Sequence, residues 1–582
     1  AAPVVHTGGT IFPGLIELHN HLSYNILPLW NVPKQFKRRD QWRNHKEKQK
    51  LVTGPMKMLG STPNYVEAIV RYVECKCLVS GVTTSQGLKL YGVGIDPYYK
   101  GIIRNVESPM VPGLPNALTR IADVEAKKLD NFFNRLNSTD CLLLHLCEGL
   151  DDKTRQHFEA LQFSDGSWAI NDRLAGIHCA ALTPEQFQIY GENDGAMVWS
   201  PLSNLLLYGD TARIQAARDA GVLIAIGSDW SPSGSKNLLG ELKVAHLVSE
   251  TLGGVFTQEE IISMATINAA RILKWGQLLG SIEAGKLADL LVVDNRQGDP
   301  YRRLIDARET SISLVVINGV PRYGQVGLMS RFESAAALEA LAVGSSNRTL
   351  NLHDPDGDPL VAGLTLQAAG ERLQDGLNRL HELAIDLEDP DNPIAWLADL
   401  GMTFASPADA FAKLTEFALA TGSDGLAGAS ADDFSERIAF LELDNEQLAG
   451  ESIRPHLPHP VTGDATGFPF PGEQAVVYSQ VLEGVQIDLD GLTIAGDETY
   501  FPRLAAQINL PEYIKQNLPG YYGLDPVLPE SAEPFSRMSS TVRTQFATTM
   551  PLSDFMQTGG YLSRADRQMI VEQALVMIEQ VY

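Results

Sequence analysis

The sequence predicts an α/β protein: a (β/α)8 barrel over residues 11–280, followed by a mainly helical, acidic part over residues 331–582. Three observations predict it. From residue 64 to 229, short apolar runs alternate with stretches of helical spacing. Such alternation implies a parallel sheet, which over this length closes most economically as a barrel. His19, His21, His145, His178 and Asp229 each stand at or just after the C-terminal end of an apolar run, and in a barrel those ends meet on one face. The charge then changes along the chain. Residues 1–330 carry 33 basic and 33 acidic side chains, while 331–582 carry 13 and 38, so the second part holds the whole formal charge of −25. All five cysteines lie in the first part. This step puts a domain boundary near residues 325–350.

Taken in order, Leu15, Ile16 and Leu18 form a buried strand opened by Pro13-Gly14. It ends in His19 and His21, and alternate residues of a strand share a side. Both imidazoles can therefore reach one point, as metal ligands must, although a bare His-x-His also occurs as two satisfied loop histidines. Residues 34–50 carry eight Lys or Arg against Asp40 and Glu47. They read either as a solvated helix face or as an anion-attracting lid over the site. Further helices are expected over 65–79, 117–136, 151–162, 183–190 (capped by Thr183 before Pro184) and 210–219. Strands are expected over 81–85, 101–106, 141–146, 175–178, 196–199 and 222–227.

The totals exclude several classes. With 44% hydrophobic and 20% charged residues, the 582-residue chain has ordinary globular composition. No apolar run reaches the roughly 18 residues of a membrane span. Five cysteines make no disulfide framework and lean towards a reducing, cytoplasmic compartment. The charge balance speaks against nucleic-acid binding, which needs a basic surface. The first ten residues lack a signal-peptide pattern, and the chain begins without Met almost on top of its opening motif. Residues upstream are therefore expected to be missing.

Several motifs run in a recognisable order: Pro13-Gly14-Leu15-Ile16-Glu17-Leu18-His19-Asn20-His21, Gly81-Val82-Thr83-Thr84, His145-Leu146-Cys147-Glu148, and His178-Cys179. They continue as Ser200-Pro201-Leu202-Ser203-Asn204-Leu205, Gly227-Ser228-Asp229, Met264-Ala265-Thr266-Ile267-Asn268-Ala269-Ala270-Arg271 and Gly280-Ser281-Ile282-Glu283-Ala284-Gly285-Lys286-Leu287-Ala288-Asp289-Leu290. On these motifs the chain resembles the amidohydrolase superfamily, in its branch of deaminases and chlorohydrolases acting on purine-, pyrimidine- and triazine-like rings. The resemblance covers about residues 4–325 and none of the last 250 or so. It implies that His19, His21, His145 and Asp229 bind one divalent metal, zinc or alternatively iron. Glu148 would be the proton shuttle, and His178 would contact the reacting group. It also implies a small β-sandwich subdomain from residues 1–10 and 281–325, with strands over 288–293 and 314–319.

The pattern departs from that branch at two places. Trp199-Ser200 stands where His-Asn is frequent, and Trp230-Ser231-Pro232-Ser233-Gly234 follows the metal Asp in place of a small Gly-Ala stretch. These tryptophans tilt the substrate towards an amide, cyclic amide or amidine, with ring deamination as the alternative. A non-catalytic barrel presenting the C-terminal part is the reading of another class. Trp30, Tyr91, Trp199, Asn204 and Trp230 are the candidate substrate contacts. Tyr24 is a further candidate wall, and Ser203 with Asn204 is expected to fix a loop beside the site. Lys89 falls beyond its strand end, so a carboxylated lysine bridging two metals is not expected.

Three imidazoles and a carboxylate make a mixed N/O site suited to Zn²⁺ with room for a water. The expected partner is a small molecule, with no membrane or nucleic acid; a homo-oligomer is an open alternative. In the C-terminal part, residues 332–342, 363–386, 405–420 and 562–581 have helical spacing, and 455–472 and 519–534 are rich in proline. Asp354-Pro355-Asp356-Gly357-Asp358 reads as a tight turn rather than a calcium loop, because no terminal Glu follows at the right spacing.

Overall fold

Eight short strands, several of them apolar runs too brief to be a helix, carry the barrel. In the computed structural model they are β2 (Leu15–Glu17), β3 (Val82–Ser85), β4 (Arg104–Asn105), β5 (Leu118–Arg120), β6 (Leu142–Leu146), β7 (Leu174–His178), β8 (Ala196–Trp199) and β9 (Leu223–Ile226), preceded by β1 (Thr10–Pro13). The structure describes residues 4–388, apart from 44, 63, 88–100, 121–123, 125–127 and 358, together with 476–525. Strands β2-β3-β4 and β5-β6-β7-β8-β9 are each parallel and in sequence order. The two sets approach where Val106 accepts from the Ala117 amide, just before Leu118 donates to Cys141. The other seam closes through a parallel bridge between Asn20 and Asp229. There the Asp229 amide donates to His19 O at 3.0 Å, and the His21 amide donates to Asp229 O at 2.6 Å. Backbone bonding at that seam puts both ends of the barrel sequence beside each other.

The strands alternate as a barrel requires. Ile16, Val106, Leu143, Ala175, Ile177, Val198 and Ala225 pack into one inner cluster. Leu142, Leu144, Leu146 and Trp199 face the larger outer core with the helices. The helices Val66–Val79, Asp152–Glu159, Pro184–Glu192 and Leu238–Thr251 belong to that outer layer, and Thr183 caps the third in a full capping box.

Other expectations need correction. Residues 118–120, expected within a helix, are strand β5, and the helix there is Leu129–Ser138. Ser203 and Asn204, expected to fix a loop, lie on the helix Pro201–Tyr208, and the next helix is limited to Ile214–Asp219. The 34–50 segment is not a solvated face throughout, because Trp42 and Lys48 are buried.

The second sheet is antiparallel and six-stranded. It adds β10 (Leu290–Val293), β11 (Ile312–Ile317), β12 (Val320–Gln325), β13 (Glu339–Val343) and β14 (Ser346–Leu350), in the order β1-β10-β11-β12-β14-β13. Residues 332–342, expected as a helix, therefore contain a 3-10 turn and strand β13. Helical spacing over 363–386 corresponds to the helices Leu366–Asn378 and Leu380–Glu388. Asp354 heads a turn in which its carboxylate accepts from the Asp356 amide. The segments 405–420, 455–472 and 562–581 lie outside the described residues.

Contacts group the described residues up to 388 and those of 476–525 as one unit. Within it, Ile487, Ile494, Tyr500 and Phe501 join the same core as the barrel helices. The change of charge near 325–350 therefore does not coincide with a break in packing. All five cysteines are buried thiols, and no described helix is long and apolar enough to cross a membrane.

Candidate metal centre and active site

At the C-terminal ends of β2, β6, β7 and β9, five side chains converge. The ligand atoms of His19, His145 and His178 lie within 4.8 Å of one another, as do those of His19, His21 and Asp229. His19 Nε2 is 3.2 Å from His145 Nε2 and 3.4 Å from Asp229 Oδ1, and His21 Nε2 is 3.6 Å from the same oxygen. His145 follows Leu143 on the inward parity of β6, so the strand itself aims it. His178 follows Ile177 and would face outward, but its φ of +67° turns the chain there. Cys147 (φ +54°), Cys179 (φ +48°) and Asp229 (φ +65°) share that left-handed conformation, which L residues seldom adopt. Four such residues at three strand ends form a concentration of strain of the kind found at functional sites. Gly227 lets the seam close: a Cβ there would stand 2.5 Å from His19 O and 2.6 Å from His19 N.

Hydrogen bonds behind the ring nitrogens set their protons. His145 Nδ1 is 3.3 Å from the Arg120 carbonyl, which can only accept, so its proton sits on Nδ1 and Nε2 presents a lone pair. His19 Nδ1 is 2.7 Å from Ser200 Oγ. The Trp199 indole N–H donates to Thr211 Oγ1 at 2.9 Å, Thr211 donates to Asn204 Oδ1 at 3.2 Å, and Asn204 Nδ2 is 3.0 Å from His178 Nδ1. This chain makes His178 an acceptor at Nδ1 and a donor at Nε2.

Burial pushes His21 down to about 3, with the Lys48 and Arg39 charges acting the same way. Burial likewise brings His178 to about 3, helped by His21 and Arg39, and holds His19 and His145 well below the ordinary histidine range. Burial also raises Asp229, against the hydrogen bond that Ser203 donates to its Oδ2 at 2.5 Å.

His145 Nε2 presents its lone pair 3.2 Å from His19 Nε2, so the two nitrogens can share a proton or, with both lone pairs turned inward, a cation. A metal with bonds of about 2.0–2.2 Å to N and O spaces neighbouring ligands by roughly 3.3–3.5 Å, close to the separations found here. The donor set fits a divalent metal held by His19, His21, His145 and Asp229, with His178 alongside.

Glu148 follows β6 and reaches the same space. Its Oε1 accepts from Tyr208 OH at 2.8 Å, and its Oε2 is 3.8 Å from His178 Nε2 and 3.9 Å from Arg39 Nε. Tyr208 in turn accepts from the Trp42 indole at 2.7 Å. Trp230 lies 5.5 Å from His21 (centroid to centroid), 5.1 Å from Tyr24 and 6.1 Å from Trp42, so these rings wall one side of the site. Lys48 Nζ sits over Trp42 and Trp230, at 5.3 and 5.7 Å from their centroids.

Among the expected substrate contacts, Trp230 is brought to the histidines and Asn204 is brought behind His178. Trp199 is not; it packs outward, 6.4 Å from Phe256, because β8 puts Val198 on its inner face. Trp30 packs its ring against His45, and its amide donates to Pro232 O at 3.0 Å in the loop after Asp229. Tyr91 and Lys89 lie outside the described residues. Tyr208, Trp42 and Ser200 were missed, although Tyr208 stands four residues after Asn204 on one helix face.

The Amidohydrolase family model matches residues 147–322. A 5-methylthioadenosine/S-adenosylhomocysteine deaminase of Moorella thermoacetica is 26% identical over 365 residues, which is 55% of this chain and 83% of that protein. An S-triazine hydrolase of Gordonia rubripertincta is 29% identical over 192 residues, 31% of this chain and 40% of that protein. Among solved structures, a mutant of the atrazine chlorohydrolase from Arthrobacter aurescens TC1 complexed with zinc and atraton aligns at 20% identity with a TM-score of 0.46, over 54% of this chain and 83% of that one.

Proposed function

We propose that this chain, a member of the amidohydrolase superfamily in its branch of deaminases and triazine hydrolases, hydrolyses a C–N bond at an sp² carbon of a small molecule and releases an amine or ammonia. The observation that carries this is the convergence of His19, His21, His145 and Asp229 with Glu148 and His178 on one barrel face. His19, His21, His145 and Asp229 would hold a divalent ion, zinc first and iron as the alternative, and when bound it would lower the pKa of a water from 15.7 to about 7. Glu148, oriented by Tyr208, is placed to take a proton from that water and return it to the departing nitrogen. His178, fixed as an Nε2 donor by Asn204, is placed to hydrogen-bond the heteroatom on which charge develops.

Within this chemistry the relatives' names favour an aminoheterocycle, and the aromatic wall beside His21, in which Tyr24 and Trp42 stand at 66° and 52° to Trp230, offers ring faces and edges to an aromatic substrate. Amide, cyclic-amide or amidine hydrolysis is the second reading, favoured by Trp230 standing where the branch has small residues. A non-catalytic scaffold would have no use for strained strand ends that aim six polar side chains at one point. The test is ammonia or amine release by metal-loaded protein from panels of aminoheterocycles, amides, cyclic imides and amidines. One class should turn over, and Glu148→Gln should keep the metal while losing about 10²–10⁴-fold in turnover. Fully metal-loaded protein inert towards all four classes would overturn the proposal.

A further inference from the structure

The stretch 485–497 is far from the barrel in sequence and lies beyond the family match, yet it delivers a buried carboxylate to the underside of the metal loops. Asp490 Oδ2 is 2.6 Å from Lys76 Nζ and its Oδ1 is 2.6 Å from Lys236 Nζ, with all three side chains about 2% exposed. Lys236 also pairs with Asp497 Oδ2 at 2.6 Å, so two cations meet two anions. The Asp490 backbone is held as well: its amide donates to Ile26 O at 2.8 Å, and its carbonyl accepts from Tyr72 OH at 2.7 Å.

Lys76 stands on the helix Val66–Val79 and uses its three N–H groups on three different segments. They reach Asp490 Oδ2, the Asn25 carbonyl at 2.6 Å and Ser231 Oγ at 3.3 Å. Asn25 then ties both metal loops. Its Oδ1 accepts from the Ser231 amide at 2.7 Å, two residues past Asp229, and its Nδ2 donates at 3.1 Å to Asn20, which sits between His19 and His21. From Asp490 to the ligand backbones the path is therefore continuous, and every step is buried.

We propose that Asp490 is a positioning residue for the metal site, acting through Lys76, and that the C-terminal segment carrying it is a working part of this hydrolase. The inference rests on the metal-site reading above. Without the Asp490 charge, the Lys76 ammonium is buried uncompensated, and the structure must rearrange or admit water at the point that anchors Asn25 and Ser231. Residues behind metal ligands typically govern about 10–100-fold in metal affinity by fixing ligand orientation. Asp497 provides an internal control, since it shares Lys236 but does not touch Lys76.

The experiment uses the full chain, with zinc affinity measured by competition against a chromogenic chelator and the visible spectrum recorded with cobalt. Asp490→Asn should weaken zinc about 10–100-fold and change the cobalt bands, whereas Asp497→Asn should stay within about 3-fold with an unchanged spectrum. If Asp490→Asn does not accumulate, the Lys76→Met/Asp490→Leu double variant replaces the ion pair with apolar groups of similar size. It should fold and still show the weakened zinc binding, because Asn25 and Ser231 have lost their anchor. Wild-type affinity and spectrum in the folded Asp490 variant would overturn the inference alone, as would an equal loss in Asp497→Asn. A wild-type chain that takes up no zinc or cobalt would instead overturn the metal-site reading, and this inference with it.

Discussion

Tyr208 shows how one hydroxyl can govern the proton chemistry of this site. Burial, followed by the Glu148 charge, holds its phenol well above the ordinary range, so it remains a donor to Glu148 Oε1 while accepting from Trp42. Tyr208→Phe removes the donor without changing the ring. Loss of a hydrogen bond to a carboxylate disfavours its ionised form. Turnover should fall about 10-fold, less than the roughly 10²–10⁴-fold that a placed proton carrier itself contributes, and the acid limb of kcat/KM should move to higher pH with metal content unchanged. An unaltered pH profile would show that Tyr208 serves packing alone. The tautomer chain behind His178 follows the same logic, since Trp199 cannot reach substrate yet sets Thr211, and through it Asn204.

At the scale of elements, the helix Leu238–Thr251 carries a buried charge with a calculable pH signature. Lys243 donates to the carbonyls of Leu239 at 3.0 Å and of Ala307, and its Nζ lies 5.2 Å from the Tyr522 ring centroid. Burial pushes it down to about 7, against the pull of Glu309 and Asp306. Below pH 7 the folded and unfolded chains both hold the proton, and the cost of burying the charge is felt in full. Between about 7 and 10.5 only the unfolded chain holds it, so this group makes stability rise with pH, at up to about 1.4 kcal/mol per unit. Urea unfolding at pH 7, 8 and 9 should show that rise in the wild type and a reduced slope in Lys243→Met. Equal slopes would place the Lys243 pKa elsewhere. The strand ends follow a comparable rule: position on the strand aims His145, whereas His178 and Asp229 depend on a left-handed turn that strand periodicity cannot supply.

For the whole molecule, a metal that binds only the folded chain stabilises it by mass action. At free metal 100-fold above its dissociation constant the gain is about 2.7 kcal/mol. Calorimetry before and after chelation should show a lower melting temperature in the metal-free protein, restored by zinc; no shift would mean that the cluster holds no ion. The C-terminal residues 476–525 share this cooperativity, because Gln507 accepts from the Val32 amide and donates to the Trp30 carbonyl, pinning the loop that follows His21. The acidic balance after residue 330 therefore does not describe a separate solvated domain throughout. Part of it neutralises buried lysines of the barrel.

By itself the sequence pointed to the barrel, through its alternation of apolar and helical stretches, and to one cluster of polar side chains, through which residues end a strand. His19, His21, His145, His178 and Asp229 were legible on those grounds, whereas Glu148 and the division of the cluster into metal ligands and proton carriers came from the motif resemblance alone. Strand β13 was not legible, since its alternation of half-exposed residues resembles a short helix until a partner strand is known. Trp199 was read as a pocket wall because sequence parity does not say which face of β8 is inner. Tyr208, Trp42, Lys76 and Asp490 were decided only by the tertiary structure. Their roles arise from hydrogen bonds and ion pairs between segments that for Asp490 lie more than 400 residues apart, and no local pattern encodes the closing of such distances.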